Sequence, residues 1–152
     1  MSRNLAPSLF AALSFLALVT PATASTTYFH SGATCEAEWG ATLGYFDTRA
    51  ANIYSASSIT AICPISSYYQ PANPMVRLWR STGASDPSCL VGIETSGGTT
   101  YYGAAVATTT VGATWVSLPA PAFAPAASYG ASFFLCTLPN STAVSQTYYT
   151  GI

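Results

Sequence analysis

The chain has no lysine, a single histidine and four arginines among its 152 residues, and only 6% of those residues are charged, for a net charge of −1. Nucleic-acid binding rests on several Lys or Arg contacts to phosphate, and docking on anionic lipid draws on basic clusters, so the composition argues against both. The lone histidine restricts catalysis as well. A Ser/His/Asp triad would have to use His30 with Asp47 or Asp86, and no G-x-S-x-G segment marks a nucleophile. There is no C-x-x-C pair for zinc and no D-x-D-x-D-G loop for calcium, so neither cofactor nor metal is expected. After Ser25 no segment sustains a helical apolar period, and few helices are expected.

What is present begins with the pattern expected of a leader. Arg3 supplies a positive charge, Ser8 to Val19 form an uncharged apolar run, Pro21 breaks any helix, and Ala22-Thr23-Ala24 places small residues where signal peptidase acts. Spanning a bilayer takes roughly twenty apolar residues, so the run suits a cleavable signal peptide over residues 1–24 rather than an anchor. This predicts cleavage after Ala24 and no integral membrane segment in the mature protein. Residues 25–152 then form one exported domain, extracellular or periplasmic.

Cys35, Cys63, Cys89 and Cys136 all follow the leader, and an even number in an oxidising compartment reads as two disulfides. Three pairings are open. Cys35 with Cys63 and Cys89 with Cys136 is favoured because sequential pairing closes the smaller loops, each contributing on the order of 3 to 4 kcal/mol in the chain-entropy model. The rest reads as short β-branched or aromatic runs punctuated by Gly, Pro, Asn and Ser. Strands are predicted near 27–30, 42–47, 50–55, 58–65, 75–81, 88–95, 99–108, 114–118, 128–138 and 144–150. Alternation places Ile59, Ala61 and Cys63 on one face of a strand and Cys89, Val91 and Ile93 on another. Phe134, Cys136 and Leu138 oppose Phe133 and Leu135, so that strand is apolar on both faces and belongs in the middle of a sheet. The expected fold is an all-β, antiparallel β-sandwich, jelly-roll-like or Ig-like, with a small barrel as the alternative.

Among chemistry-bearing groups, Glu36 and Glu38 share a strand face roughly 6.6 Å apart, within range of a glycosidase pair. Two solvated acids beside Cys35 explain them as well. Asn140-Ser141-Thr142 matches the N-glycosylation acceptor, although a turn after Pro139 accounts for Asn140 equally. The aromatics are the more informative feature. Tyr68-Tyr69, Tyr101-Tyr102 and Tyr148-Tyr149 are adjacent pairs, and strand alternation directs one ring of each outward. With Trp39 and Trp79 they form the candidate binding residues, Arg77 and Arg80 flanking Trp79 and Trp115 adding a further ring. Exposed Tyr and Trp present an apolar face and a polar edge, suited to sugar rings and to protein partners. The competing expectation is that Trp fills the core and Tyr closes its rim.

The order Cys35, Cys63-Pro64, Cys89 and Cys136-Thr137-Leu138-Pro139 resembles a group of short, uncharacterised exported bacterial proteins of similar size, predicted to be β-sandwiches. The resemblance runs from about Cys35 onward. It implies the fold and the export, and it carries over no activity and no functional residue. The reading that follows is a secreted, non-enzymatic binding module for a glycan or protein ligand. The alternative is a self-associating component of an extracellular matrix or coat, since a nearly uncharged surface without lysine leaves sheet edges unprotected.

Overall fold

A computed structural model of the chain describes residues 26–38, 41–46, 48–65, 71–121 and 129–151. The expected signal peptide, Trp39, Asp47, Tyr68 and Tyr69 lie outside the described residues. The regular structure of the described residues is β1 (Thr26–Ser31), a 3-10 turn (Gly32–Thr34), β2 (Glu36–Ala37), β3 (Gly44–Phe46), β4 (Arg49–Asn52), β5 (Ile59–Ile65), β6 (Ala72–Arg80), β7 (Ser88–Thr95), β8 (Thr100–Tyr102), β9 (Val106–Ala107), β10 (Gly112–Ser117), β11 (Tyr129–Leu138) and β12 (Thr142–Gly151).

These strands form two antiparallel sheets that pack together. Sheet A runs β10-β6-β12-β4-β3, with β1 also pairing β12. One edge of β12 is shared: residues 142–144 face β4 and residues 146–151 face β1. Sheet B runs β2-β5-β11-β7-β8, with β9 continuing the β8 edge along β7. As expected from its apolar residues on both faces, β11 lies between β5 and β7.

The core is set by alternation. Sheet B sends in Ile59, Ala61, Cys63 and Ile65 from β5, Cys89, Val91 and Ile93 from β7, and Phe134, Cys136 and Leu138 from β11. Sheet A answers with Ala50, Val76, Leu78, Val116, Val144 and Tyr149. Each large side chain removed from water contributes about 1.5 to 3 kcal/mol. The disulfides are Cys35–Cys63 and Cys89–Cys136. Both lie within sheet B rather than across the sandwich. Cys136 stands directly opposite Cys89 on the neighbouring strand, and Cys35 precedes the β2 residues that pair with Ile62 and Ala61, which sets it beside Cys63.

Two expectations need correction. Glu36–Ala37 is a strand outside the ten predicted ranges, although Glu36 and Glu38 were read as sharing a strand face, and the single strand expected over 99–108 is broken into β8 and β9. At the break the Gly103 amide donates to the Val91 carbonyl at 2.8 Å, and a Cβ there would collide with the Pro119 carbonyl. The edge is interrupted because another backbone passes over it at a position only glycine accommodates.

One end of the sandwich is joined by a buried amide. Asn52, at the end of β4, donates through Nδ2 to the carbonyls of Ser57 and Leu138, both at 2.8 Å, and its Oδ1 accepts from the Ser55 amide at 3.2 Å. Its own carbonyl accepts from the Ser141 amide at 2.8 Å. Each polar group of this fully buried side chain therefore has a partner drawn from the other sheet or from a connecting loop. Nearby, Arg80 pairs with Asp86 at 3.2 Å and donates to the Thr109 carbonyl at 3.0 Å, tying two connections to the end of β6.

Candidate binding face

The outward surface of sheet A carries a continuous aromatic ridge. The register brings Ser117, Met75, Tyr148 and Phe29 into one row across β10, β6, β12 and β1, and Trp115, Arg77, Gln146 and Ser31 into the next. Tyr148 is the middle of the ridge: its ring centroid lies 5.0 Å from that of Phe29 and 6.4 Å from that of Trp115. Phe29 is 62% exposed and Trp115 39% exposed, so the flanking rings are the accessible ones. Ring planes cross at 58° and 76° along the ridge. Trp115 therefore meets Tyr148 edge to face and Phe29 meets it tilted, so the rings do not form a coplanar platform. Such contacts contribute about 0.5 to 1.5 kcal/mol per pair and hold the side chains in place before any ligand arrives.

A polar strip runs beside the ridge. Arg77 Nη1 donates to Gln146 Oε1 at 3.3 Å, pairing a guanidinium that has five donor hydrogens with a side-chain amide on this outward face. A bulge at Ser145 sets this geometry, because it shifts the β12–β6 register between Val144 and Gln146. Val144 and Thr147 both stay buried while Gln146 and Tyr148 turn outward. The Ser145 hydroxyl donates to the Arg77 carbonyl at 3.0 Å.

The other predicted aromatics divide. Trp79 is half-buried on the same outward face, opposite Ala113 and Ala143, so neither Trp79 nor Trp115 fills the core as the competing expectation held. Tyr149 cannot contribute to a surface: it is fully buried, its ring stacked on Tyr28 at 5.0 Å and on His30 at 5.7 Å. Tyr101 and Tyr102 are both exposed, contrary to the rule of one outward ring per pair, because β8 is a short edge strand that the core does not fully cover. They belong to sheet B, apart from the ridge. Phe29 was missed by sequence reasoning. Alternation in Thr26–Ser31 could have marked it as outward, but only the pairing of β1 with β12 reveals that it meets Tyr148.

The outward surface of sheet B has a different character. Leu90, Leu135 and Ile62 form one cross-strand row, with Glu36 beyond Ile62, and Tyr102, Gly92, Phe133 and Pro64 form the next. Gly92 is the seat of the Phe133 ring, since a Cβ there would fall on it, and the ring reaches Tyr102 at 6.4 Å. Ile62 is 37% exposed and Tyr102 57% exposed, while the leucines and Phe133 are partly covered.

The remaining candidates acquire ordinary partners. His30 Nε2 lies 3.1 Å from the Tyr149 hydroxyl, within a paired strand rather than at a loose chain end. Glu36 and Glu38 are exposed on sheet B. A cleft of about 390 Å³ opens between Ala56 and Ser58, residues 81–85 and residues 139–141, lined by small residues and by none of the aromatics. Asn140 borders it, and its Nδ2, the atom that would bear a glycan, donates to the Ser55 carbonyl at 2.7 Å. Among the described residues no three His, Cys, Asp or Glu side chains gather as a metal site, and no helix is long and apolar enough to cross a membrane. No protein-family model and no curated protein matches the chain.

Proposed function

We propose that this protein is an exported, non-enzymatic binding module whose outward face of sheet A takes a glycan. The observation that carries the reading is the ridge of Phe29, Tyr148 and Trp115 lying beside the Arg77–Gln146 pair. A sugar ring has apolar C–H faces and a rim of hydroxyls. Aromatic rings meet the first, and amide and guanidinium hydrogens meet the second. Export is supported by the leader pattern, by the two disulfides and by the cysteine order that resembles exported bacterial proteins.

The test is a glycan array and polysaccharide pull-down on the oxidised protein recovered from the exported fraction. Saturable binding is expected, weakened at least about tenfold by Trp115→Ala or Phe29→Ala, the loss of about 1.4 kcal/mol that a central aromatic contact supplies. Absence of saturable binding, or binding indifferent to both substitutions, would refute the reading. Binding to a protein ligand at the same ridge would replace the glycan with the other ligand class that the rings suit.

A further inference from the structure

The charges of the described residues are sorted by sheet. Arg80 and Asp86 neutralise each other at one end of the sandwich. Arg77 and Arg49 alternate with the buried Val76 and Ala50, so both stand on the outward side of sheet A. Glu36, Glu38 and Glu94 alternate with the inward Cys35, Ala37 and Ile93, so all three stand on the outward side of sheet B. The acidic side also bears the apolar rows of Leu90, Leu135 and Ile62 and of Tyr102 and Phe133. One face is thus aromatic and basic, and the other is aliphatic, aromatic and acidic.

We infer that the partner of sheet B is sheet A of a second copy of this chain. The inference rests on the reading of sheet A as a binding face. Opposite charges would meet and both apolar surfaces would leave water, whereas sheet B against sheet B would set three carboxylates against three. The two faces lie on opposite sides of the sandwich, so each contact leaves a free sheet A at one end and a free sheet B at the other, and copies add head to tail. Five strands at about 4.8 Å and about six residues at about 3.3 Å give a face roughly 20 Å square. Stable complexes bury about 800 Å² per partner, so the contact is weak and reversible, forming between about 10 μM and about 1 mM protein. A glycan on sheet A competes with it.

The test uses light scattering and sedimentation on the oxidised exported protein. The wild type should grow in mean mass with concentration, passing beyond a dimer, and the mass should fall as salt rises from about 0.02 M to about 0.5 M. Two variants place the opposing sign on each face: Phe29→Glu with Trp115→Glu on sheet A, and Ile62→Lys with Tyr102→Lys on sheet B. Each variant alone should remain monomeric. Their equal mixture should regain association, because one intact sheet A then meets one intact sheet B. A wild type that stays monomeric to about 1 mM, a mass that rises with salt, or either variant associating by itself overturns the inference. The salt series needs no variant and decides the matter if the substitutions impair folding. Glycan binding measured on the sheet B variant, whose sheet A is intact, reports on the proposed function separately.

Discussion

Replacing Asn52 with aspartate should make the stability of this protein depend on pH in a direction that few surface changes could imitate. Asn52 is fully buried, and its Nδ2 serves the Ser57 and Leu138 carbonyls while Oδ1 takes the Ser55 amide. The introduced carboxyl would keep the acceptor and turn its second oxygen toward two carbonyl oxygens. Ionised, it loses two donor bonds inside the protein, at about 1 to 3 kcal/mol each with imperfect additivity, so a loss of about 3 to 4 kcal/mol is expected at pH 7. Protonated, its hydroxyl can serve one of the carbonyls and recover about half of that. Recovery on protonation, together with burial of the charged form, holds the introduced carboxyl's folded-state pKa above the ordinary carboxylate range. With the folded pKa raised, the folded state holds the proton more tightly. The variant's deficit is therefore smallest below the ordinary carboxylate pKa of about 4 and grows as pH rises through the raised folded-state pKa. Five acids and one histidine in the whole chain keep the wild-type background shallow. Urea unfolding of both proteins from about pH 4 to about pH 7.5, disulfides intact, measures the difference. A deficit under about 1 kcal/mol at pH 7, or one of equal size across the range, would refute the placement of the amide. Asn52→Ala, which cannot titrate, should show a deficit that does not vary with pH.

Further outcomes follow from packing and topology. Cys89→Ala with Cys136→Ala opens a crosslink between residues 47 apart and should cost about 4 kcal/mol, with Cys35→Ala and Cys63→Ala, 28 apart, costing about 3.5 kcal/mol, both read from urea midpoints. A loss below about 1 kcal/mol would mean that the strand ladder already supplies the restraint. Gly32→Ala should lower the melting temperature by roughly 10 °C, about 3 kcal/mol, because its Cβ would collide with the Val144 carbonyl, a backbone atom that cannot step aside. Gly83→Ala is the contrast. Its φ of +82 favours glycine, but nothing lies within 4 Å of the added Cβ, so only the conformational cost of about 1 kcal/mol should appear.

Much of this architecture was legible in the order of residues. Strand alternation needs only the two-residue period, so the inward sets on β5, β7 and β11 could be read directly, as could the central place of β11. The cysteine pairing was legible for a related reason, since shorter loops cost less to close. Other features were not. The two-residue strand β2 has too few positions to show a period, and the break between β8 and β9 depends on Pro119, far along the chain from Gly103, passing over the edge. The core role of Tyr149 also escaped the pattern. Its neighbour Tyr148 has the same chemistry, and the register of β12, with its irregularities at Ser145 and Tyr149, decides which ring faces in.

By itself, then, the sequence determined the class of fold, the two crosslinks and the residues able to fill the core, because those follow from local periodicity, chain entropy and the cost of exposing apolar side chains. Tertiary structure alone decided which strands became neighbours. That choice put Phe29 beside Tyr148 across a separation that no local rule spans, set Arg49 and Arg77 on one sheet and Glu36, Glu38 and Glu94 on the side of the other, and seated the Asn52 amide between loops from distant parts of the chain. Antiparallel pairing is satisfied by backbone hydrogen bonds that any strand can make, so the selection among partners falls to the joint burial of both inner faces, a property of the whole fold and not of any segment.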